Sequence, residues 1–244
     1  MPAPEQIARL VLDHYATCTT YSDRGRQVSI RNPDGPPRSR NYSTIHFETR
    51  LERPDRFFFE YLDEAVGPRE SWPRYIIVQD AGKCRQWWSI RPDETDRDLR
   101  RGLAGATGVS SGTASTIPAL LLPGVVDRVP VIVPAECERL EDADIDGTSH
   151  WCLRGNPARF PHDRLYIDPS TLLIRRFTDR SEIDARTRRE ILEASKRYLS
   201  AEAIAEFETG SASMTHTSVT VRQTDYTAAF DTALPADAFR FDPG

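Results

Sequence analysis

A chain of 244 residues, 39% apolar and 28% charged, has enough apolar material for a sizeable core and still leaves a wide solvated surface. The net charge of −5, with arginines broken up by acids as in Asp96-Arg97-Asp98-Leu99-Arg100-Arg101, argues against a nucleic-acid partner. The longest apolar piece, Ile117 to Val133, is interrupted by Pro118, Pro123, Gly124, Asp127, Arg128 and Pro130. It falls short of the roughly 18 residues needed to span a bilayer.

The opening Met1-Pro2-Ala3-Pro4-Glu5 has neither the basic start nor the apolar run of a secretory leader. The expected compartment is cytoplasmic if Met1 is native, and periplasmic or secreted if a leader has been removed. Pro4 to Cys18 reads as an amphipathic helix, with Ile7, Leu10, Val11, His14 and Tyr15 at helical spacing and Pro4 in the first turn. Strand-like runs follow. Arg26 to Arg31 leads into the turn Asn32-Pro33-Asp34-Gly35-Pro36-Pro37. Tyr42 to Leu51 alternates, with Ile45, Phe47, Thr49 and Leu51 on one side. Phe57 to Leu62 comes next; Tyr75 to Asp80 and Cys84 to Ile90 then flank the turn Asp80-Ala81-Gly82-Lys83. These runs predict an antiparallel meander.

The middle changes character. Asp93 to Gly105 predicts a helix with Leu99 and Leu103 on one face, Thr107 to Ser115 a mobile loop, and Thr116 to Leu122 a short helix. Strands resume at Ala135 to Leu140, Ser149 to Arg154, Arg164 to Ile167 and Leu172 to Thr178, the last two joined by the turn Asp168-Pro169-Ser170-Thr171. Asp184 to Phe207 reads as a second long helical stretch and Thr215 to Gln223 as another strand. Phe239-Arg240-Phe241 is expected to pack as a short edge segment.

Catalytic fingerprints are missing. There is no GxSxG elbow, no GxGxxG, no GxxxxGK[ST] and no HExxH, so the expectation is a protein that is not an enzyme and carries no cofactor. Cys18, Cys84, Cys137 and Cys152 lack the close spacing of a metal site. Cys137 and Cys152 flank the turn signal Asp146-Gly147; they either pair as a disulfide or remain buried thiols. His150 and Cys152 share one face of a strand, but no third ligand can be named, and no metal is expected. The aromatic residues carry more information. Phe57, Phe59 and Tyr61 alternate with Phe58 and Glu60, and Trp87 and Trp88 point to opposite faces. Large apolar groups on both faces imply either that both are covered or that one lines an apolar cavity.

Several motifs, taken in order, resemble the periplasmic lipoprotein carrier LolA and its relatives. Leu51-Glu52-Arg53-Pro54-Asp55-Arg56-Phe57 is similar to the family's (K/R)-R-P-x-x-F junction. Ile76 to Lys83, followed by Trp87-Trp88, is similar to its hydrophobic strand, D-G-K turn and L-W hairpin. Ile167-Asp168-Pro169-Ser170-Thr171-Leu172-Leu173-Ile174-Arg175 resembles the I-D-x-x-T-x-L-I-x-R strand pair of LolA-like proteins of unassigned function. Phe239-Arg240-Phe241-Asp242-Pro243 resembles their closing F-x-F-x-P. The turn at Asp80-Ala81-Gly82 carries one extra residue, and 184–207 looks like a helical insertion.

The resemblance implies an α+β fold: a single domain over 1–244, built as a half-open barrel with one highly curved antiparallel sheet and helices plugging its concave face. It implies non-catalytic, periplasmic binding of a lipid, an acyl chain or a lipidated protein in an apolar hollow. The ligand-binding residues would be Phe57, Phe59, Tyr61, Trp87 and Trp88, with only one of the two tryptophans facing the hollow. Arg53, at the place of the family's arginine before proline, would latch the plug helices. The expected state is a monomer with a transient membrane or envelope partner. The alternative is a structural or protein-interaction component of the cell envelope with a fully packed core.

Overall fold

The structure is a computed structural model and describes residues 2–96, 98–126, 129–184, 186, 187, 190, 193, 204 and 217–243. It divides into two compact units. The larger comprises Met1–Val28, Ser43–Asp179 and Gln223–Gly244; the smaller comprises Ser29–Tyr42 and Arg180–Arg222. Most of the helical stretch expected at 184–207 lies outside the described residues.

Helix α1 (Pro4–Thr17) starts on Pro4, where a missing backbone N–H costs nothing, and buries Ile7, Ala8, Val11 and Tyr15. Six strands follow: β1 (Thr20–Arg31), β2 (Asn41–Glu52), β3 (Arg56–Asp63), β4 (Arg74–Asp80), β5 (Lys83–Trp88) and β6 (Arg91–Asp96). The turn from β4 to β5 is a tight two-residue hairpin, with Asp80 opposite Lys83 and both Ala81 and Gly82 at positive φ.

Here two expectations are corrected. The stretch 93–96 is not helical: it pairs with β5 as an edge strand, and that pairing depends on a partner strand that local spacing does not reveal. The stretch 107–115 is not a loop. Helix α2 (Leu99–Val109) begins at Asp98, whose carboxylate accepts from Arg101 N at 2.8 Å, and α3 (Thr113–Leu121) begins after a three-residue turn. The hydroxyls of Thr113 and Ser115 donate to the carbonyls of Ser110 and Gly112, so these residues are buried without leaving a polar group unpaired.

The chain continues through β7 (Glu138–Arg139), β8 (Ala143–Ile145), β9 (Thr148–Arg154), β10 (Arg164–Ile167), β11 (Ile174–Ile183) and β12 (Ser218–Phe230). The strand expected over 135–140 shrinks to β7, because Pro134 opens a short 3-10 turn there.

Among the described residues, twelve strands form one open antiparallel sheet in the order β6-β5-β4-β3-β2-β1-β12-β11-β10-β9-β7, with β8 beside β9. One wing is the meander β6 to β1, and the other is β11 to β7. Strand β12 joins them. Its end is fastened to the start of β1: Asp231 N donates to Thr20 O, and the Asp231 carboxylate accepts from the backbone N–H of Thr19 and Thr20.

Both wings share one core. Phe47, Leu51, Phe57, Phe59 and Ile77 on one side and Leu153, Leu165, Ile167 and Ile174 on the other pack with residues of all three helices. Helix α2 lies on β4 and β5, α3 contacts α2 and α1, and α1 reaches β7. Strands lie about 4.8 Å apart, so eleven strands laid flat would span roughly 48 Å. Three short helices can hold both edges in one core only if the sheet curves strongly around them. The expected α+β architecture, one curved antiparallel sheet with helices on the concave face, is the one observed.

The other face carries a smaller apolar cluster of Phe58, Ile76 and Val78, joined by Ala238 and Phe239, with Trp87, Leu234 and Phe241 at its margin. The chain's last described segment is therefore not an edge segment but a cover on the sheet's second face. Arginines from the sheet hold it down. Arg56 lies 4.3 Å from the Phe239 ring centre, Arg85 lies 4.3 Å from that of Phe241, and Arg50 donates to Ala238 O at 2.6 Å.

The smaller unit contains the turn predicted at 32–37. Asn32 N donates to Val219 O at 2.7 Å and Gly35 N donates to Asn32 O, while Arg180 pairs with Asp34 and Glu182.

Candidate functional site

Alternation along β3 decides which side chains can meet a ligand under the helices. Phe57, Phe59 and Tyr61 face the helices and are 1%, 0% and 2% exposed, respectively. Pairing across the wing puts Tyr61 opposite Tyr75 and Tyr75 opposite Trp88. The result is an aromatic row in which the Tyr61 and Tyr75 rings stack at 5.9 Å. Trp88 is half-buried against this core, whereas Trp87 belongs to the opposite face with Phe58 and Ile76. The structure thus brings Phe57, Phe59, Tyr61 and Trp88 together and sets Trp87 apart.

Arg53 sits between the sheet and the helix ends, in the short link from β2 to β3. Its Nε donates to Cys18 O at 2.8 Å, and one terminal nitrogen donates to Tyr15 O at 3.2 Å and Leu121 O at 2.7 Å. These are carbonyls at the C-terminal ends of α1 and α3, which have no partner inside their helices. A guanidinium there also meets the negative ends of two helix dipoles. A single side chain therefore ties two helices to the sheet.

Sequence reasoning missed Asp23. It lies on the helix-facing side of β1 and is 2% exposed. Tyr21 OH donates to one carboxylate oxygen at 2.8 Å and Thr49 N donates to the other at 2.9 Å. Burial pushes its pKa up to about 7, and the two hydrogen bonds only partly oppose this. The available signal was a lone acid in the inward phase of Tyr21, Asp23 and Gly25. Gly25 itself makes room: a Cβ there would sit 2.0 Å from the Phe47 ring, which lies directly over the backbone. Tyr15 was read only as a helix-face residue. Its hydroxyl accepts from Ile174 N at 3.0 Å and so links α1 to β11.

All four cysteines are free. Cys137 and Cys152 are offset, with Leu140 N donating to Cys152 O and the Cys137 thiol donating to Gly155 O. Burial raises Cys18 and Cys152 and pushes Cys137 up to about 11, which disfavours the nucleophilic thiolate. His150 and Cys152 do share a strand face, and both are buried. Among the described residues no group of three His, Cys, Asp or Glu side chains is arranged to hold a metal ion, and no helix is long and apolar enough to cross a membrane.

No protein-family model matches the chain, and no curated protein matches it significantly. Solved structures align with it over nearly their whole length. A domain assigned to outer membrane lipoprotein sorting, from Vibrio parahaemolyticus, has 8% identity and a TM-score of 0.35, covering 97% of this chain and 96% of its own. A DUF1329 family protein from Desulfovibrio piger has 10% identity and a TM-score of 0.35, covering 97% and 95%. A LolA superfamily protein from Nitrosomonas europaea has 9% identity and a TM-score of 0.32, covering 99% of each chain. The architecture of this chain is an open antiparallel sheet with helices on one face.

Proposed function

We propose that this protein is a non-catalytic binding protein, periplasmic or secreted, that takes a lipid, an acyl chain or a lipidated protein between the sheet and its helices. The observation that carries this reading is the Arg53 latch, in which one side chain holds the C-terminal ends of α1 and α3 against the sheet. In the proposal α1 and α3 lift, and the apolar chain lies along Phe57, Phe59, Tyr61 and Trp88. Of the two tryptophans, Trp88 has the suitable face. The energetics support such an exchange. Each buried methylene contributes about 0.8 kcal/mol, and three hydrogen bonds to a charged group contribute about 1.5–3 kcal/mol each. An acyl chain of about twelve methylenes therefore matches the hydrogen bonds of the opened latch. The ligand-free form would act alone and meet a membrane or envelope partner only in passing, without nucleic acid.

The test is binding of a lipophilic fluorescent dye by the wild type and by Arg53→Leu, with near-ultraviolet circular dichroism to verify native packing. Native mass spectrometry of protein purified from its own host completes it. The expected result is a saturable dye site, tighter in Arg53→Leu, and co-purified lipid. If neither protein binds dye and no lipid co-purifies, the reading is lost.

A second reading has its own observation. Phe57, Phe59 and Tyr61 are at most 2% exposed, as in an ordinary packed core. It makes the protein a structural or interaction component of the envelope, and it survives if the dye test is negative.

A further inference from the structure

The face of the sheet away from the helices holds a pocket of about 660 Å³ in the larger unit, where β1, β12 and β11 run side by side and β9 follows beyond β10. Tyr21 and Asp23 face the helices, so Arg24 and Arg26 project from β1 to the opposite side. Arg175 and Arg176 come from β11, at an irregularity in its register with β10. His150 comes from β9, out of phase with the core residue Leu153.

Four arginines line the pocket against three carboxylates, Asp146, Asp168 and Asp225, an excess of one positive charge. Arg175 pairs with Asp168 at 3.3 Å and Arg176 pairs with Asp225, so two guanidiniums are oriented by carboxylates. Arg26 is exposed and has no hydrogen-bond or ion-pair partner among the described residues. Among the described residues the Arg24 side chain reaches Glu48 alone, at 3.4 Å, and it is 81% exposed. His150 places Nδ1 2.7 Å from Thr148 O. A carbonyl only accepts, so Nδ1 carries the proton and Nε2 of the neutral ring is an acceptor, which makes His150 a wall of the pocket and not a donor to an anion. An excess of arginine over carboxylate in a concave site runs against the chain's overall charge of −5. Planar guanidinium forks match the oxygens of phosphate in a two-pronged way.

We propose that this pocket binds a phosphate-bearing group, with Arg24 and Arg26 supplying the charge and Arg175, Arg176 and His150 the walls. The group could be a free phosphate compound or the headgroup of an anionic lipid. The site lies across the sheet from the apolar hollow and does not depend on it.

Inorganic phosphate and glycerol phosphate are titrated by calorimetry into the wild type, into Arg26→Gln and into R24Q/R26Q. Flotation with vesicles of phosphatidylcholine, alone or with an equal amount of phosphatidylglycerol, forms the second arm. The control, R9Q/R240Q, removes two charges elsewhere on the surface. The R24Q/R26Q pair is expected to weaken binding about tenfold or more, with Arg26→Gln intermediate and the control unchanged. Binding in the titration arm identifies a free phosphate compound, and recruitment only by phosphatidylglycerol vesicles identifies a headgroup. The proposal is overturned if neither arm shows binding, if R24Q/R26Q binds like the wild type, or if the control loses as much. Far-ultraviolet circular dichroism verifies that each variant is folded, and the exposed Arg26 makes its single variant safe on that count.

Discussion

Phe58 and Phe59 are neighbours in the chain, yet different parts of the molecule bury them. Phe59 faces inward, into a core shared by residues of all three helices and of the far wing of the sheet. Phe58 faces outward and is covered by a short segment around Ala238 and Phe239, held by Arg56 and Arg85 stacking and one Arg50 hydrogen bond. The inner face is thus a core in which neighbours are locked by each other. The outer face is a surface with a local cover, and beyond that cover it opens into polar grooves. The two faces teach that apolar residues on both sides of a strand need not mean two equal cores.

The largest expected effect tests that difference directly. Phe59→Ala should cost about 3–5 kcal/mol in urea unfolding, because the surrounding core cannot collapse into the void. Phe58→Ala should cost about half as much, because the 234–241 segment can settle into the space. Equal losses would make the two faces equivalent.

The next effect concerns Asp23, a buried acid of the inner face. Asp23 has a folded pKa raised to about 7 against an ordinary 3.8. Between those values the folded state holds a proton that the unfolded state has released. The stability from this group is therefore full below about pH 3.8, falls as pH rises towards 7, and is flat above it. Wild type minus Asp23→Asn should lose on the order of 3 kcal/mol of stability from pH 4 to pH 8. Thermal melts across that range check it, and a pH-independent difference would mean that Asp23 stays ionised in the fold.

The smallest effect lies outside both faces. Ala81 occupies a left-handed position at φ +48° in the turn from β4 to β5. Asparagine tolerates that conformation better, so Ala81→Asn should stabilise by about 0.5–1 kcal/mol with no effect on dye or phosphate binding. A change in either binding arm would tie this hairpin to a site.

Much of the sheet was legible because its signals are local. The alternation of Ile45, Phe47, Thr49 and Leu51 fixes the inner face of β2, and all four are buried as expected. Turn chemistry placed the β4–β5 hairpin, and helical spacing placed α1. What escaped depends on partners distant in the chain. Strand β6 reads as a charged helix until β5 is there to pair with it. The stretch 107–115 reads as a loop because Ser and Thr are poor helix formers in isolation; buried between helices, their hydroxyls bond back to carbonyls one turn earlier. Of the site, the inward aromatics and Arg53 stood out in the sequence. The buried state of Asp23 and the grouping of Arg24, Arg26, Arg175 and Arg176 did not, since the latter come from strands about 150 residues apart that only sheet order makes near neighbours.

The position of β12 bears on how the protein is made. A ribosome delivers the chain from one end, so both wings are synthesised before the strand that unites them. The meander β1–β6 has close-range pairings and can form while translation continues. Until residues 218–230 emerge, β1 and β11 each offer an unpaired edge, and the Phe58 patch lacks its cover. Nascent chains of this protein therefore pass through a stage with two open strand edges and an exposed apolar patch, the features on which chaperones and aggregation compete.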